Sequence, residues 1–328
     1  MSVYISGSLA YDRVMSFPGN FSDYILPDKI HMLNVCFPIG HIEEKRGGTA
    51  GNIAYTLALL GEKGLILASA GRDFGSYKDF LIRIGLSLEG IFQTPDEPTA
   101  GAYITTDKKS NQITGFHPAA MNIPCGYSFP LLDPDLDLAI IAPSNPADME
   151  AHAVIYRERR VRYIFDPGQQ LASMTPEQIR IGLQGALMLV SNDYELELIC
   201  RLTGLEPADI LKLTPTIITT LGEKGSRLTA RDGATSLIPP ARIKRLGDPT
   251  GAGDAYRAGL LKGLLLGLSM EDCALLGSAC ASFCVEKQGT QEHYFDEASL
   301  GQRLQESYGR SLPLRFSPLF TGGSRSIS

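Results

Sequence analysis

The chain has 328 residues, 44% of them hydrophobic and 20% charged, with a formal net charge of -6. That balance describes a globular chain able to bury a large core, and it excludes the broad basic footprint that nucleic acid requires, because Lys and Arg are scattered rather than clustered. No apolar run reaches the length of a membrane span, and MSVYISGSLAYDRV at the start has no basic region followed by a long apolar one, so the expectation is a cytoplasmic protein with no membrane partner. The six cysteines, at 36, 125, 200, 273, 280 and 284, form no C-x-x-C pair and have no neighbouring histidine at metal spacing. This argues against a zinc site and against a disulfide framework.

In chain order, VYISGSL from residue 3 reads as a strand. Residues 13–46 then look like an extended ribbon, and AGNIAYTLALLG after them has a helical pattern. At 100–118, AYITT and QITGF flank the polar turn DKKSN as the arms of a hairpin would. Four short β-rich runs follow, DLAIIAP, RYIFDP, ALMLVSN and TIITTLG, with TPEQIRIGLQG, NDYELELICRLTG and EPADILKL as helical patterns among them. Two long helical patterns close the core at roughly 251–267 and 270–287; on the second, Cys273, Cys280 and Cys284 share one face and read as small core residues. Apolar strands alternating with amphipathic helices predict an α/β fold, a mostly parallel sheet covered on both faces. The segments 13–46 and 100–118 would add a small β-sheet at one edge, serving as a lid, a structural flap or a dimer surface. One domain over 1–312 is expected, with 313–328 a loosely ordered tail.

The stretch GDPTGAGDAYRAGL at 247–260 carries the chemistry. Gly251, Ala252 and Gly253 lead into a helix, so backbone N–H groups there lack internal partners and face outward at the positive end of the helix dipole. Without side chains in the way, an anion can rest on them. Asp254 falls in the first turn, where it is either a capping carboxylate or, beside an anion hole, the group that takes a hydroxyl proton in phosphoryl transfer. No G-x-x-x-x-G-K-[ST] occurs, and the glycines near 251 do not form G-x-G-x-x-G after a strand, which disfavours P-loop and dinucleotide enzymes. The DFG at 73–75 lacks the companion motifs of a protein kinase.

The run from Asp248 to Asp254 followed by AYRAGLL resembles the second signature of the PfkB, or ribokinase-like, family of sugar and nucleoside kinases, and Gly47-Gly48-Thr-Ala-Gly-Asn52 resembles the first. The resemblance covers roughly residues 3–300 and implies a three-layer α/β/α core with a β-sheet lid. It implies Asp254 as catalytic base and Gly251, Ala252 and Gly253 as the anion hole. Asn192 and Glu195, in SNDYELE, match the family's N-x-x-E motif, which positions the Mg²⁺ of ATP mainly through water, while locally they also read as a helix N-cap and its acidic first turn. Thr220, Gly222 and Gly225 in TLGEKG match the nucleotide loop, and ASFCVEKQGT at 281–290 matches the wall of the adenine pocket. Asp12 matches an aspartate that accepts hydrogen bonds from sugar hydroxyls, although it also suits a strand-end turn. Gly47, Gly48 and Asn52 would approach the same sugar. The family also implies a monovalent cation such as K⁺ near the Asp248–Thr250 loop and residues 285–290.

Between Asp12 and Gly47 lie 34 residues, more than simple sugar kinases usually carry; with NQITGFHPAAM and FDPGQQ this is similar to the adenosine and nucleoside kinase branch. Phe37, Phe116 or Tyr11 would then face a purine ring or form lid core. Arg257 departs from the apolar residue, usually phenylalanine, of many members, and would either add positive charge near the transferred phosphate or pair with an acidic neighbour on the surface. The expected function is ATP-dependent phosphorylation of a nucleoside 5'-hydroxyl, with adenosine as acceptor and the protein a monomer or a homodimer through the lid. The alternatives are a kinase of a free sugar, or a non-catalytic nucleotide-binding relative.

Overall fold

A computed structural model describes residues 2–109 and 111–321. The chain opens with β1 (Val3–Ser6), turns into β2 (Ala10–Ser16) and β3 (His41–Gly47), and continues through α1 (Thr49–Leu59), β4 (Gly64–Ala70), α2 (Gly75–Arg83) and β5 (Ile91–Gln93). A hairpin, β6 (Ala100–Thr106) and β7 (Gln112–His117), precedes β8 (Leu138–Ile141), α3 (Pro146–Glu158), β9 (Arg162–Phe165), α4 (Pro176–Leu183) and β10 (Met188–Asn192). Then come α5 (Asp193–Thr203), α6 (Pro207–Leu213), β11 (Thr216–Thr220), β12 (Ser226–Ala230) and β13 (Thr235–Ile238), and the helices α7 (Ala252–Leu265), α8 (Met270–Val285) and α9 (Glu297–Tyr308).

Nine strands form the central sheet in the order β13-β12-β11-β10-β9-β8-β1-β4-β5. Pairing is parallel from β11 to β5, and only β12 and β13 run antiparallel at one edge. Strands this apolar require cover on both faces, and the period of two decides which residue goes to which side. Ile5, Ile140 and Ile164 pack with Ile53, Leu57, Leu260 and Leu276 of α1, α7 and α8. Their neighbours Tyr4, Ala139, Tyr163 and Phe165 pack with Met149, Ile179 and Ile199 of α3, α4 and α5. The result is the three-layer α/β/α core expected from the sequence. Cys273, Cys280 and Cys284 are buried in its first face.

The two ribbons pair with each other. β3-β2-β6-β7 make a separate four-stranded sheet, with β2 parallel to β6 and the outer pairs antiparallel. The DKKSN turn is organised by Asp107, whose carboxylate accepts from the Lys109 and Asn111 N–H groups at 2.8 and 2.9 Å. Its other oxygen accepts from the Phe21 N–H at 3.1 Å, which ties the hairpin to the long insert. Phe37 packs against Phe17 and Phe21 with ring centroids 5.0 Å apart in each case, so it belongs to the core of this small sheet. Tyr11 is buried, with its hydroxyl on the Asp73 carbonyl and Ser76, while Phe116 is 51% exposed on the outer strand.

The C-terminal stretch corrects an expectation. The part of 313–328 that is described, up to 321, is docked rather than loose: Leu314 is buried and the Leu319 N–H donates to the Ala58 carbonyl at 2.9 Å. Phe316, Leu319 and Phe320 pack on the core, and apolar residues spaced among Pro and Ser suffice to hold a segment that has no regular structure. The remaining seven residues lie outside the described residues.

Candidate active site

The site residues gather where parallel strands end. Asn192 is the last residue of β10 and Thr220 the last of β11, and Asp166 directly follows β9. In an open parallel sheet the crevice outside the carboxyl ends is where ligands bind, because loops diverge there and helix N-termini point toward it.

The GDPTGAGD stretch builds the N-terminus of α7. Gly251 adopts φ 79° and ψ -5°, the second central position of a type II turn, and the Ala252 N–H donates to the Pro249 carbonyl at 3.1 Å to close it. A side chain at 251 would also meet the Thr290 side chain at 2.8 Å, so glycine is required twice over. The next bonded N–H is that of Ala255, to the Gly251 carbonyl at 3.0 Å. The N–H groups of Gly251, Gly253 and Asp254 therefore have no partner among the described residues, and such a face of free donors is chemically suited to an anion. Ala252 supplies the bend instead of a donor, which refines its expected part in the anion hole.

Asp254 sits in that first turn and is not used as a cap. Its Oδ2 accepts from the Asn52 amide at 2.8 Å, and Asn52 is itself fixed: Gln291 donates to its Oδ1 at 2.9 Å and to the Tyr77 hydroxyl at 2.6 Å. Tyr77 in turn donates to the Gly47 carbonyl at 2.9 Å. This buried chain locks the Gly-Gly segment to Asp254. Burial pushes the Asp254 carboxyl up to about 7, with Asp166 and Asp12 adding to the rise, while Arg257 and the Asn52 amide hold it down. A carboxyl raised in this way is chemically able to accept a proton near neutral pH.

Arg257 meets neither sequence expectation fully. It pairs with an acidic residue, but inside the protein, 8% exposed: Nη2 donates to Asp166 Oδ1 at 2.8 Å and Nε to Oδ2, a bidentate fork. Its Nη1 donates to the Gly253 carbonyl at 3.0 Å, so the guanidinium braces the turn that carries Asp254. Asp166 is a site residue that the sequence reading missed, although a carboxylate directly after an apolar strand was a usable signal. Gln291 and Tyr77 left no local signal at all.

Asp12 lies in the middle of β2, opposite Lys45 of β3, and so is not at a strand-end turn. A Cβ at Gly47 would fall 2.5 Å from its Oδ2, so the glycine is what lets the carboxylate lie over the β3 backbone. Burial and Asp248 push Asp12 up to about 6, and Lys45 pulls it down. Gly48, at φ 87°, turns the chain directly into α1 and delivers Asn52 one turn later.

Asn192 and Glu195 form a reciprocal capping box at the start of α5, with Asn192 Oδ1 accepting from the Glu195 N–H at 2.7 Å and Glu195 Oε2 from the Asn192 N–H at 2.8 Å. Burial raises the Glu195 carboxyl, the Asn192 N–H lowers it and Asp166 raises it further. One carboxylate oxygen is left over. That suits a hydrated Mg²⁺, which keeps most of its water and needs few direct protein ligands. Next to these residues is a cavity of about 690 Å³, lined among others by Asn192, Thr220, Gly222, Gly225, Gly253 and Val285. Its walls bring together the α7 N-terminus, the TLGEKG loop and Ala281, Ser282 and Val285 of the 281–290 segment.

A helix N-terminus with free donors, a carboxylate beside it and a large cleft against the same donors describe a phosphoryl-transfer site. The chain belongs to the pfkB family of carbohydrate kinases, whose profile matches residues 23–296. It is 31% identical over 294 residues to a nucleoside kinase of Methanocaldococcus jannaschii, spanning 87% of this chain and 94% of that one. Among solved structures, the Burkholderia thailandensis nucleoside kinase in complex with inosine superposes with a TM-score of 0.85 at 34% identity, covering 95% of this chain and 100% of that one. The same enzyme in complex with ADP-inosine gives 0.82 at 36% identity, with both chains covered to 100%. The protein is a phosphotransferase with an alcohol group as acceptor, and its ribokinase-like fold and family are those that the two glycine-rich motifs implied.

Proposed function

We propose that the protein transfers the γ-phosphoryl group of ATP to the 5'-hydroxyl of a nucleoside, yielding the nucleoside monophosphate and ADP. The observation that carries this reading is the Asp254 carboxylate, held by Asn52 at 2.8 Å beside N–H groups of Gly251 and Gly253 that have no partner among the described residues. Asp254 takes the hydroxyl proton while these donors hold the charge of the transferred group. Asp12 accepts from the ribose hydroxyls, and Gly47, Gly48 and Asn52 pack along the same sugar. The nucleotide occupies the 690 Å³ cavity, with Thr220, Gly222 and Gly225 along its phosphates and ribose and Val285 along its base. Mg²⁺, when bound with the nucleotide, neutralises phosphate charge. Asn192 and the spare oxygen of Glu195 would hold it through water.

The choice of a nucleoside rests on the long insert that builds the lid and on the nucleoside kinases that the chain resembles over most of its length. Adenosine is the acceptor expected from the sequence, and inosine is the nucleoside in the B. thailandensis complex; they differ only at one purine position, so they are the first pair to compare. ADP release with ATP and Mg²⁺ across adenosine, inosine, guanosine, cytidine, ribose and fructose tests the reading. Turnover with nucleosides and not with ribose supports it, and turnover with ribose or fructose alone overturns it in favour of a sugar kinase.

The proposal extends to a monovalent cation. The Gly247 and Asp248 N–H groups both donate to the Val285 carbonyl, at 2.8 and 3.1 Å, which brings the two expected segments together, and the Thr250 carbonyl has only a weak thiol contact, to Cys284 at 3.5 Å. Equal rates in K⁺ and in a bulky organic cation would remove it.

A further inference from the structure

On the face of the sheet covered by α3, away from the phosphoryl-transfer residues, two side chains of that helix meet a third from a distant loop. Asp148 and His152 stand one helical turn apart on α3, and Cys125 comes from the loop after the 3-10 turn at Ala119–Asn122. One ligand atom from each, a thiol sulfur, a carboxylate oxygen and an imidazole nitrogen, all lie within 4.8 Å of one another. We propose that Cys125, Asp148 and His152 form a binding site for a divalent transition-metal ion of the zinc class.

Several features of the cluster fit a metal better than a packed core. The set of one sulfur, one nitrogen and one oxygen is the mixture that zinc takes, whereas Mg²⁺ and Ca²⁺ require oxygens throughout. The first two are almost sealed from solvent, with Cys125 7% and His152 3% exposed. A thiolate and a carboxylate beside a neutral imidazole carry two negative charges between them, so a divalent cation makes the buried group neutral; the thiol proton leaves for solvent as the metal–sulfur bond forms.

The outer contacts also suit this role. The Ser6 hydroxyl lies 2.7 Å from His152 Nδ1 and fixes the ring; in the tautomer with Nδ1–H donating to that hydroxyl, Nε2 keeps a lone pair for a metal. The Cys125 N–H donates to Asp148 Oδ2 at 2.8 Å and holds the loop to the helix. Tyr156, four residues after His152 on the same helix with ring centroids 6.2 Å apart, has a buried hydroxyl with no hydrogen-bond partner among the described residues. Phe129 stands edge-on to His152 at 5.2 Å and helps to hold the imidazole in place. Three protein ligands leave a fourth position for water.

The test is a titration of the chelator-treated, full-length protein with Co²⁺ in excess Mg²⁺, which fills oxygen-only sites. The expected result is a near-ultraviolet thiolate-to-cobalt charge-transfer band that saturates at about one equivalent and is displaced by Zn²⁺. The band disappears in Cys125→Ser, and cobalt affinity falls about tenfold or more in His152→Gln. Zn²⁺ also raises the Tm of the wild type and not of Cys125→Ser. Kinase turnover with Mg-ATP, retained in both variants, reports that the fold is intact; should His152→Gln not fold, Asp148→Asn takes its place. Absence of the band at saturating cobalt, persistence of the band in Cys125→Ser, or unchanged affinity in the ligand variants on α3 overturns the proposal.

Discussion

Replacing Asp254 by Asn separates catalysis from stability in a way that the structure makes quantitative. Asn keeps the size of the side chain and an oxygen for the Asn52 amide, so the geometry at 2.8 Å survives and only the proton acceptor is lost. Loss of a general base costs about 10²- to 10⁴-fold in rate. The stability effect has the opposite sign. A carboxyl raised from the ordinary value of about 3.9 to about 7 is stable in the folded protein below the lower value, and that stability is lost as pH rises through the folded value. The difference of about 3 pH units corresponds to at most about 4 kcal/mol at pH 8, an upper bound because water reaches this half-buried group. Asp254→Asn should therefore melt higher than wild type at pH 8 and show no advantage at pH 4. For the wild type, kcat/KM for the acceptor should fall about tenfold per pH unit below about 7. The measurements are ADP release against pH and thermal melts at the two pH values. Near-normal turnover in Asp254→Asn, or a wild-type rate flat down to pH 5 together with unchanged melting, would refute the assignment.

Other outcomes follow from the same geometry. Arg257→Leu leaves Asp166 buried without its partner, at a cost of about 3–5 kcal/mol in denaturant unfolding, and Asp166→Leu in the same chain recovers most of it. Where such a protein still turns over, its acid limb moves to higher pH, because Arg257 holds Asp254 down; in Arg257→Ala, unchanged kcat and KM for ATP would exclude any role toward the phosphates. Asp12→Asn should weaken acceptor binding by about 1–3 kcal/mol, seen as roughly a tenfold or larger rise in the acceptor KM with the KM for ATP unchanged. Gly47→Ala, whose new methyl group would meet the Asp12 carboxylate at 2.5 Å, should share that phenotype, and a normal acceptor KM in both variants would remove Asp12 from the acceptor site.

Much of the candidate site was legible because it depends on backbone chemistry. Gly-Ala-Gly before a helical pattern can only leave donors exposed, and an Asp in the first turn must stand beside them, so Gly251, Gly253 and Asp254 are determined by local order alone. The capping box of Asn192 and Glu195 and the strand ends at Asn192 and Thr220 are local in the same sense. The alternation of short apolar runs with amphipathic helices determined the three layers, because a strand apolar on both faces has to be covered twice.

Tertiary structure alone decided the long-range partnerships. Asn52 of α1, Tyr77 of α2 and Gln291 of the loop between α8 and α9 are far apart in sequence and meet only in the fold, so no window along the chain reveals that they steady Asp254. Arg257 was visible as a departure, but burial with Asp166, 91 residues away, turned a supposed surface pair into an internal brace. Phe37, open to a purine on paper, was drawn into the aromatic core of the small sheet, where it packs against Phe17, Phe21 and Tyr24. Cysteine spacing argued against a metal site because spacing counts only neighbours along the chain. Folding brought Cys125 to Asp148 and His152, and ligand sets are made by neighbours in space.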